Sequence, residues 1–259
     1  MRALILAAGR GERMRPLSDH TPKPLLPVQG RPLIEWHLQA LAEAGVREVV
    51  VNTAWLEEQF PAVLGDGGRF GLAIRYSTEG RDHGAALETA GGIAKALPWL
   101  TEGGAEAFWV VSADIWAPDF HFDAALADRF AASGLAALLW LVPNPDFHAQ
   151  GDFGLQGAGS VPGFGADTAW GLADDAAAPA ERLTYANIGL FHRSLCAGIA
   201  AGTRAPLGPL LHQGMRERRI AVQRYPGRWA NLGTPQQLAA LNGAAAAARG
   251  APLGLEAVR

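Results

Sequence analysis

MRALILAAGRGERMRPLSDHTPKPLLPV, residues 1–28, sets an apolar run directly against a basic glycine loop and then a lysine framed by prolines. Met1 to Ala8 is long enough for one central strand of a sheet, and Gly9 and Gly11 leave backbone amides open to close approach by an anion. Arg10, Arg13 and Arg15 crowd positive charge around the loop, while Pro22 and Pro24 fix the chain on either side of Lys23. A Walker loop is excluded, because no Gly-Lys-Ser/Thr follows at the required spacing. The dinucleotide fingerprint fails too, because Arg13 and Met14 occupy the place of its third glycine. Pro16, Pro22, Pro24 and Pro27 forbid a long helix directly after the loop, so this segment is expected to lie as an extended flap across a ligand. Such an order of parts suits the handling of nucleotide phosphates.

Outward from the flap, residues 32–41 carry apolar side chains at helical spacing, start with Pro32 and end near Gly45, as a crossover helix would. Strands are expected at 48–52, 72–77 and 107–112, with a helix at 55–64 between the first two. Strands alternating with helices imply an α/β fold, Rossmann-like and three-layered around a mostly parallel central sheet, with ligands gathered beyond the carboxyl ends of the strands. Residues 135–142 give another apolar strand, after which the pattern loosens through Gly151 to Gly165. Further strands are read at 184–192 and 220–225, and an alanine-rich helix at 236–249.

With 259 residues and 49% hydrophobic content, the chain can bury one sizeable core as a single domain. A formal charge of -3 argues against a nucleic-acid binder and makes the basic loop a local patch whose partner is a small anion. Cys196, the single cysteine, can form no internal disulfide and is expected to be a buried apolar residue in a reducing compartment. The seven histidines lack metal-ligand spacing. With neither a leader-like segment nor a stretch able to span a bilayer, the expected place is the cytoplasm, away from membranes.

LAAGRGERMRPL (6–17) followed by TPKPLLPV (21–28) resembles the signature of the nucleotidyltransferases that make nucleoside-diphosphate sugars. The resemblance implies the GT-A-like nucleotidyltransferase fold. It also implies a glycine loop, Leu6, Ala7, Ala8, Gly9 and Gly11, wrapped around a triphosphate. Arg13 would bind the β and γ phosphates and Lys23 would meet the phosphate under attack; Glu12 stands where many members have Thr or Ser. LETAGGI (87–93) is similar to the family segment that touches the nucleobase, which makes Thr89 and Gly91 nucleotide-binding candidates. Capping by Thr89 is the structural alternative. The stretch 81–86 before it is longer than usual.

Asp114 ends the apolar strand VVSADIW (110–116), so its carboxylate is expected at the ligand-bearing edge of the sheet. In the family an aspartate here holds Mg²⁺, although Ala113 replaces the usual glycine. RWANLGTP (228–235) resembles the segment that supplies the partner ligand, with Asn231 offering an oxygen but no charge. Gly151-Asp152-Phe153 and residues 185–189 correspond to family segments that contact the sugar and its phosphate, which makes Asp152 and Asn187 candidates, with satisfaction of backbone the structural alternative for Asn187; Glu181 is a further candidate. By this resemblance, residues 1–115 form a nucleotide-binding part, 116–235 a sugar-phosphate-binding part and 236–249 a terminal helix. No hexapeptide repeat follows this helix, so the β-helix that some family members carry is not expected.

Across nearly the full chain, including LIEWHLQAL (33–41) and VVVNTAWLEEQF (49–60), the pattern is most similar to family members that use UTP and N-acetylmuramic acid 1-phosphate in cell-wall recycling. Members acting on mannose 1-phosphate with GTP, or on glucose 1-phosphate with dTTP or UTP, share the opening motif and stand as alternatives. A catalytically silent sensor of nucleotide sugars is the alternative of another class, against which Arg13, Lys23 and Asp114 count.

Overall fold

The apolar run at the N-terminus becomes strand β1 (Arg2–Leu6), in which Ala3, Leu4 and Ile5 are wholly buried. Such a run suits a strand covered on both faces of a parallel sheet. The computed structural model describes residues 1–173 and 181–250. After β1 come a small hairpin of β2 (Pro27–Val28) and β3 (Arg31–Pro32), then α1 (Leu33–Glu43), β4 (Glu48–Thr53), α2 (Gln59–Leu64) and β5 (Ala73–Thr78). They are followed by α3 (Glu79–His83), α4 (Glu88–Leu100), β6 (Ala107–Ser112), β7 (Ile115–Trp116), α5 (Ala124–Ala131) and β8 (Ala137–Val142). The last part holds β9 (Phe153–Gln156), β10 (Thr168–Leu172), β11 (Arg182–His192), α6 (Gly208–Arg216), β12 (Ile220–Arg224), β13 (Ala230–Asn231) and α7 (Pro235–Gly250).

Nine strands form one sheet in the order β5-β4-β1-β6-β11-β8-β12-β10-β9. The first four are mutually parallel, β11 runs against both β6 and β8, and β10 runs against β12 and β9. The sheet is therefore mostly parallel, with two opposed strands. Alternation along each strand divides the core into two layers. Ala3 and Ile5 belong to one layer with Ile34 and Leu38 of α1 and Phe130 of α5, whereas Leu4 belongs to the other with Ile93 of α4 and Met215 of α6. Among the described residues, no helix is long and apolar enough to cross a membrane.

Several expected elements change shape. The flap is not extended; it folds into three short 3-10 turns, Glu12–Met14, Leu17–Asp19 and Lys23–Leu25. Proline's fixed φ suits the first turn of a helix as well as extended chain, so its presence ruled out a long helix without ruling out these turns. The helix read at 55–64 shrinks to Gln59–Leu64, because Leu56 takes a left-handed φ of 47°. The glycine-rich half holds the strands β9 and β10, and the stretch around 81–86 opens with the one-turn helix α3.

Candidate active site

At the carboxyl ends of β1 and β4 a buried polar chain fixes two loops at once. Asn52, the penultimate residue of β4, accepts a hydrogen bond from the Ala7 amide at 2.7 Å and donates one to Glu79 Oε1 at 2.7 Å. Glu79 Oε2 in turn accepts from the Leu87 amide at 2.8 Å. Glu79 is fully buried, and that burial pushes its carboxyl above the usual range against the opposing pull of the Leu87 and Asn52 hydrogen bonds. Gly92 of α4 must be small here, since a Cβ would stand 2.6 Å from Asn52 Nδ2 and 2.7 Å from Glu79 Oε1. The glycine loop and the turn before α4 are thus positioned by the same two side chains. Sequence reasoning missed both; the available signal was a polar residue, Asn52, near the end of an apolar strand and an acidic residue, Glu79, just past the next strand.

Between those loops opens a cavity of about 370 Å³. Leu6, Ala7, Ala8, Gly9 and Gly11 line one side, Glu88 and Thr89 line another, and Lys23 and Asp114 also reach it. Lys23 Nζ lies 2.8 Å from Asp114 Oδ2, with the lysine side chain only 12% exposed. The three arginines of the loop divide their tasks. Arg10 stacks over the Trp55 ring at 4.5 Å and Arg15 pairs with Asp19 at 3.1 Å. Arg13 has no hydrogen-bond or ion-pair partner among the described residues and lies along Gly233, where a Cβ would sit 3.4 Å from its guanidinium carbon. Glu88, held at a positive φ of 61°, pairs with Arg204 at 2.6 Å, and both line this cavity without having been expected there.

A second cavity, of about 570 Å³, adjoins the first through Leu6, Glu88, Thr89 and Ser112. Arg13, Asp152, Asn187, Trp229 and Asn231 line it. Asp152 is held by the Tyr185 amide at 2.8 Å and by His148 Nε2 at 3.0 Å. Asn187 takes a φ of 58° where the pairing of β11 with β8 shifts register, and this bulge breaks the regular ladder at the cavity wall. The Asn231 segment is zipped to the Asp114 segment: β13 pairs with β7, setting Asn231 opposite Ile115, and the Leu232 amide donates to the Asp114 carbonyl at 3.0 Å. Beneath this junction His37 is buried and donates from Nε2 to the Ile115 carbonyl at 2.9 Å. Burial lowers its pKa to about 4, so the ring is neutral at neutral pH.

Two of the expected site residues lie elsewhere. Gly91 does not reach either cavity; its amide and that of Ala90 donate to the Ala205 carbonyl, and a Cβ on Gly91 would stand 2.3 Å from the Thr203 carbonyl oxygen. It is a packing glycine, required by the close approach of residues 203–205 to the start of α4. Glu181 lines neither cavity and pairs with Arg224 at the surface. Its charge is satisfied by the last residue of β12, away from both cavities.

Residues 2–159 match the family described as nucleotidyl transferase. The chain is 43% identical, over 90% of its own length and 94% of the relative's, to the N-acetylmuramate alpha-1-phosphate uridylyltransferase of Neisseria meningitidis serogroup B. It is 42% identical to the mannose-1-phosphate guanylyltransferase of Mycobacterium tuberculosis over a shorter part, 36% of this chain and 24% of that one. In fold it is similar to the crystal structure of a candidate glucose-1-phosphate thymidylyltransferase from Bacillus anthracis, with a TM-score of 0.74, 18% identity, and 98% of this chain and 97% of that one covered.

Proposed function

Since this chain belongs to the nucleotidyl transferase family and is a sugar-1-phosphate nucleotidyltransferase, we propose that its substrates are UTP and N-acetylmuramic acid 1-phosphate, which it joins in cell-wall recycling. The full-length likeness to a uridylyltransferase for that sugar supports the choice of substrates. The observation that carries the chemistry is the cation arrangement. Lys23 faces the first cavity beside Asp114, and Arg13, with no hydrogen-bond or ion-pair partner among the described residues, lines both the adjoining second cavity and, with Gly11 and Lys23, a recess at the glycine loop.

In this reading the sugar phosphate oxygen forms a bond to the α-phosphorus of UTP, the bond from that phosphorus to the bridging β oxygen breaks, and pyrophosphate leaves. The nucleophile is already an anion, so no general base is required. The obstacle is repulsion between two phosphates and charge growth at the reacting phosphorus, and fixed cations offset both. Lys23 supplies the positive charge at the reacting phosphoryl group. Its short link to Asp114 keeps the ammonium from wandering before substrate arrives. Arg13 presents a guanidinium to the departing pyrophosphate, a planar donor suited to phosphate oxygens.

The Asp114 carboxylate and the Asn231 amide oxygen are hard oxygen donors on two zipped segments, and such a pair fits Mg²⁺, which takes few protein ligands alongside substrate phosphates. Mg²⁺ held there would draw negative charge from the phosphate oxygens. Pyrophosphate release across a panel of triphosphates and sugar 1-phosphates, with and without Mg²⁺, tests the reading. UTP with N-acetylmuramic acid 1-phosphate should give the fastest release and EDTA should stop it. Tight UTP binding with no turnover of any pair would replace this reading with a sensor.

A further inference from the structure

Four large apolar side chains are substantially exposed among the described residues, and Phe147, at 57%, is the most exposed and the only aromatic one. It sits on the loop from 143 to 152 that joins β8 to β9. This loop is not slack. Asn144 donates to the carbonyls of Ala149 and Arg182 at 3.1 Å each, Arg182 donates to the Asp152 carbonyl at 2.8 Å, and His148 closes a tight turn onto the Pro145 carbonyl at 2.8 Å. Gly151 is required beside that staple, since a Cβ would stand 2.6 Å from Asn144 Oδ1. A braced loop that holds a phenyl ring in water is preorganised for a ligand.

The ring stands between two spaces of opposite character. On one side lies the second cavity, with Asp152, Thr184 and Asn187 as hydrogen-bonding groups for hydroxyls. On the other lies a groove of about 500 Å³ lined by Pro143, Pro145, Leu232 and Leu241, with no charged side chain. Phe147, Trp229 and Asn231 line both. Trp229 is anchored by donation from Nε1 to the Ala186 carbonyl at 3.0 Å, so the passage between the two spaces has one fixed aromatic wall and one presented aromatic face. Sugars offer apolar C–H surface to such a ring, and acyl substituents offer more.

We propose that Phe147 determines specificity for the sugar 1-phosphate, its ring packing on the apolar surface of the sugar while an acyl-type substituent reaches toward the neighbouring groove. This rests on the reading of the second cavity as the sugar-phosphate site. Steady-state kinetics of the full-length protein with saturating UTP test it, with an N-acylated and a plain hexose 1-phosphate each used as substrate or competitive inhibitor. Phe147→Ala should raise the KM or inhibition constant of the N-acylated compound about 10-fold, raise that of the plain hexose less, and leave the KM for UTP and the thermal midpoint unchanged. Phe147→Tyr should restore the wild-type constants. An unchanged constant for the N-acylated compound, an equal rise for both compounds, or a matching rise in the KM for UTP overturns the proposal. Wild-type protein that neither turns over nor binds any sugar 1-phosphate overturns the functional reading and this inference with it, an outcome visible before any variant is made.

Discussion

Asn231 contributes an oxygen without a charge, so Asp114 is the only anionic member of the proposed metal pair. Asp114→Asn should reduce turnover nearly to background, Asn231→Ala should raise the Mg²⁺ requirement and slow turnover, and Asn231→Asp should keep substantial activity. Rates measured against Mg²⁺ concentration decide this; the same Mg²⁺ dependence in Asp114→Asn and Asn231→Ala as in the wild type would remove the site. Lys23→Ala should lower kcat on the order of 10²-fold, by analogy with loss of one preorganised donor, while changing UTP affinity much less. Near-normal kcat would take Lys23 out of the mechanism. Lys23, Arg13 and Asp114 could be named as candidates at this scale because a charge beside a glycine loop or at a strand end has few structural uses, and all three do line cavities. Gly91 was misread because a glycine needed for close packing and one needed for ligand approach look alike in sequence. Glu181 was misread because its partner, Arg224, is distant along the chain.

The buried Asn52–Glu79 link makes the glycine loop and the start of α4 one mechanical unit. Gly92→Ala drives a methyl group into both polar side chains and should cost about 1–3 kcal/mol of stability while raising the KM for UTP. Asn52→Leu should cost a similar amount, because it strands Glu79 Oε1 and the Ala7 amide without partners. Denaturant melts and UTP titrations of both variants check this, and normal UTP binding by Asn52→Leu would show that the two loops hold themselves. Much of the first half of the chain was readable at element scale. The strand at 107–112 emerges with the bounds read from its apolar run, and the neighbouring strands differ by a residue or two. The other half was obscure for physical reasons: β9 and β10 are short and contain glycine, and the bulge at Asn187 interrupts alternation.

Stability of the whole molecule should carry the signature of His37. Its folded pKa of about 4 lies below the ordinary value of 6.5, so the unfolded chain gains a proton between those pH values that the folded chain refuses. Stability should therefore fall by up to about 3 kcal/mol as pH drops from 6.5 to 4, then stop responding to this group. Glu79, whose carboxyl is shifted upward, works the other way as pH falls, and Asp82 and Asp119, lowered to about 2, act below this window. The difference between wild type and His37→Gln, melted in urea at each pH, isolates the term; parallel curves would disprove it. The sheet order has a consequence for biosynthesis as well. Strand β6 leaves the ribosome with β1 on one side, but the strand that covers its other edge, β11, begins only at Arg182. At about 5–20 residues per second, the nascent chain displays an open, largely apolar edge for several seconds. The newborn protein is then a client for chaperones that shield strand edges, and a stalled chain ending before β11 would be the species that aggregates.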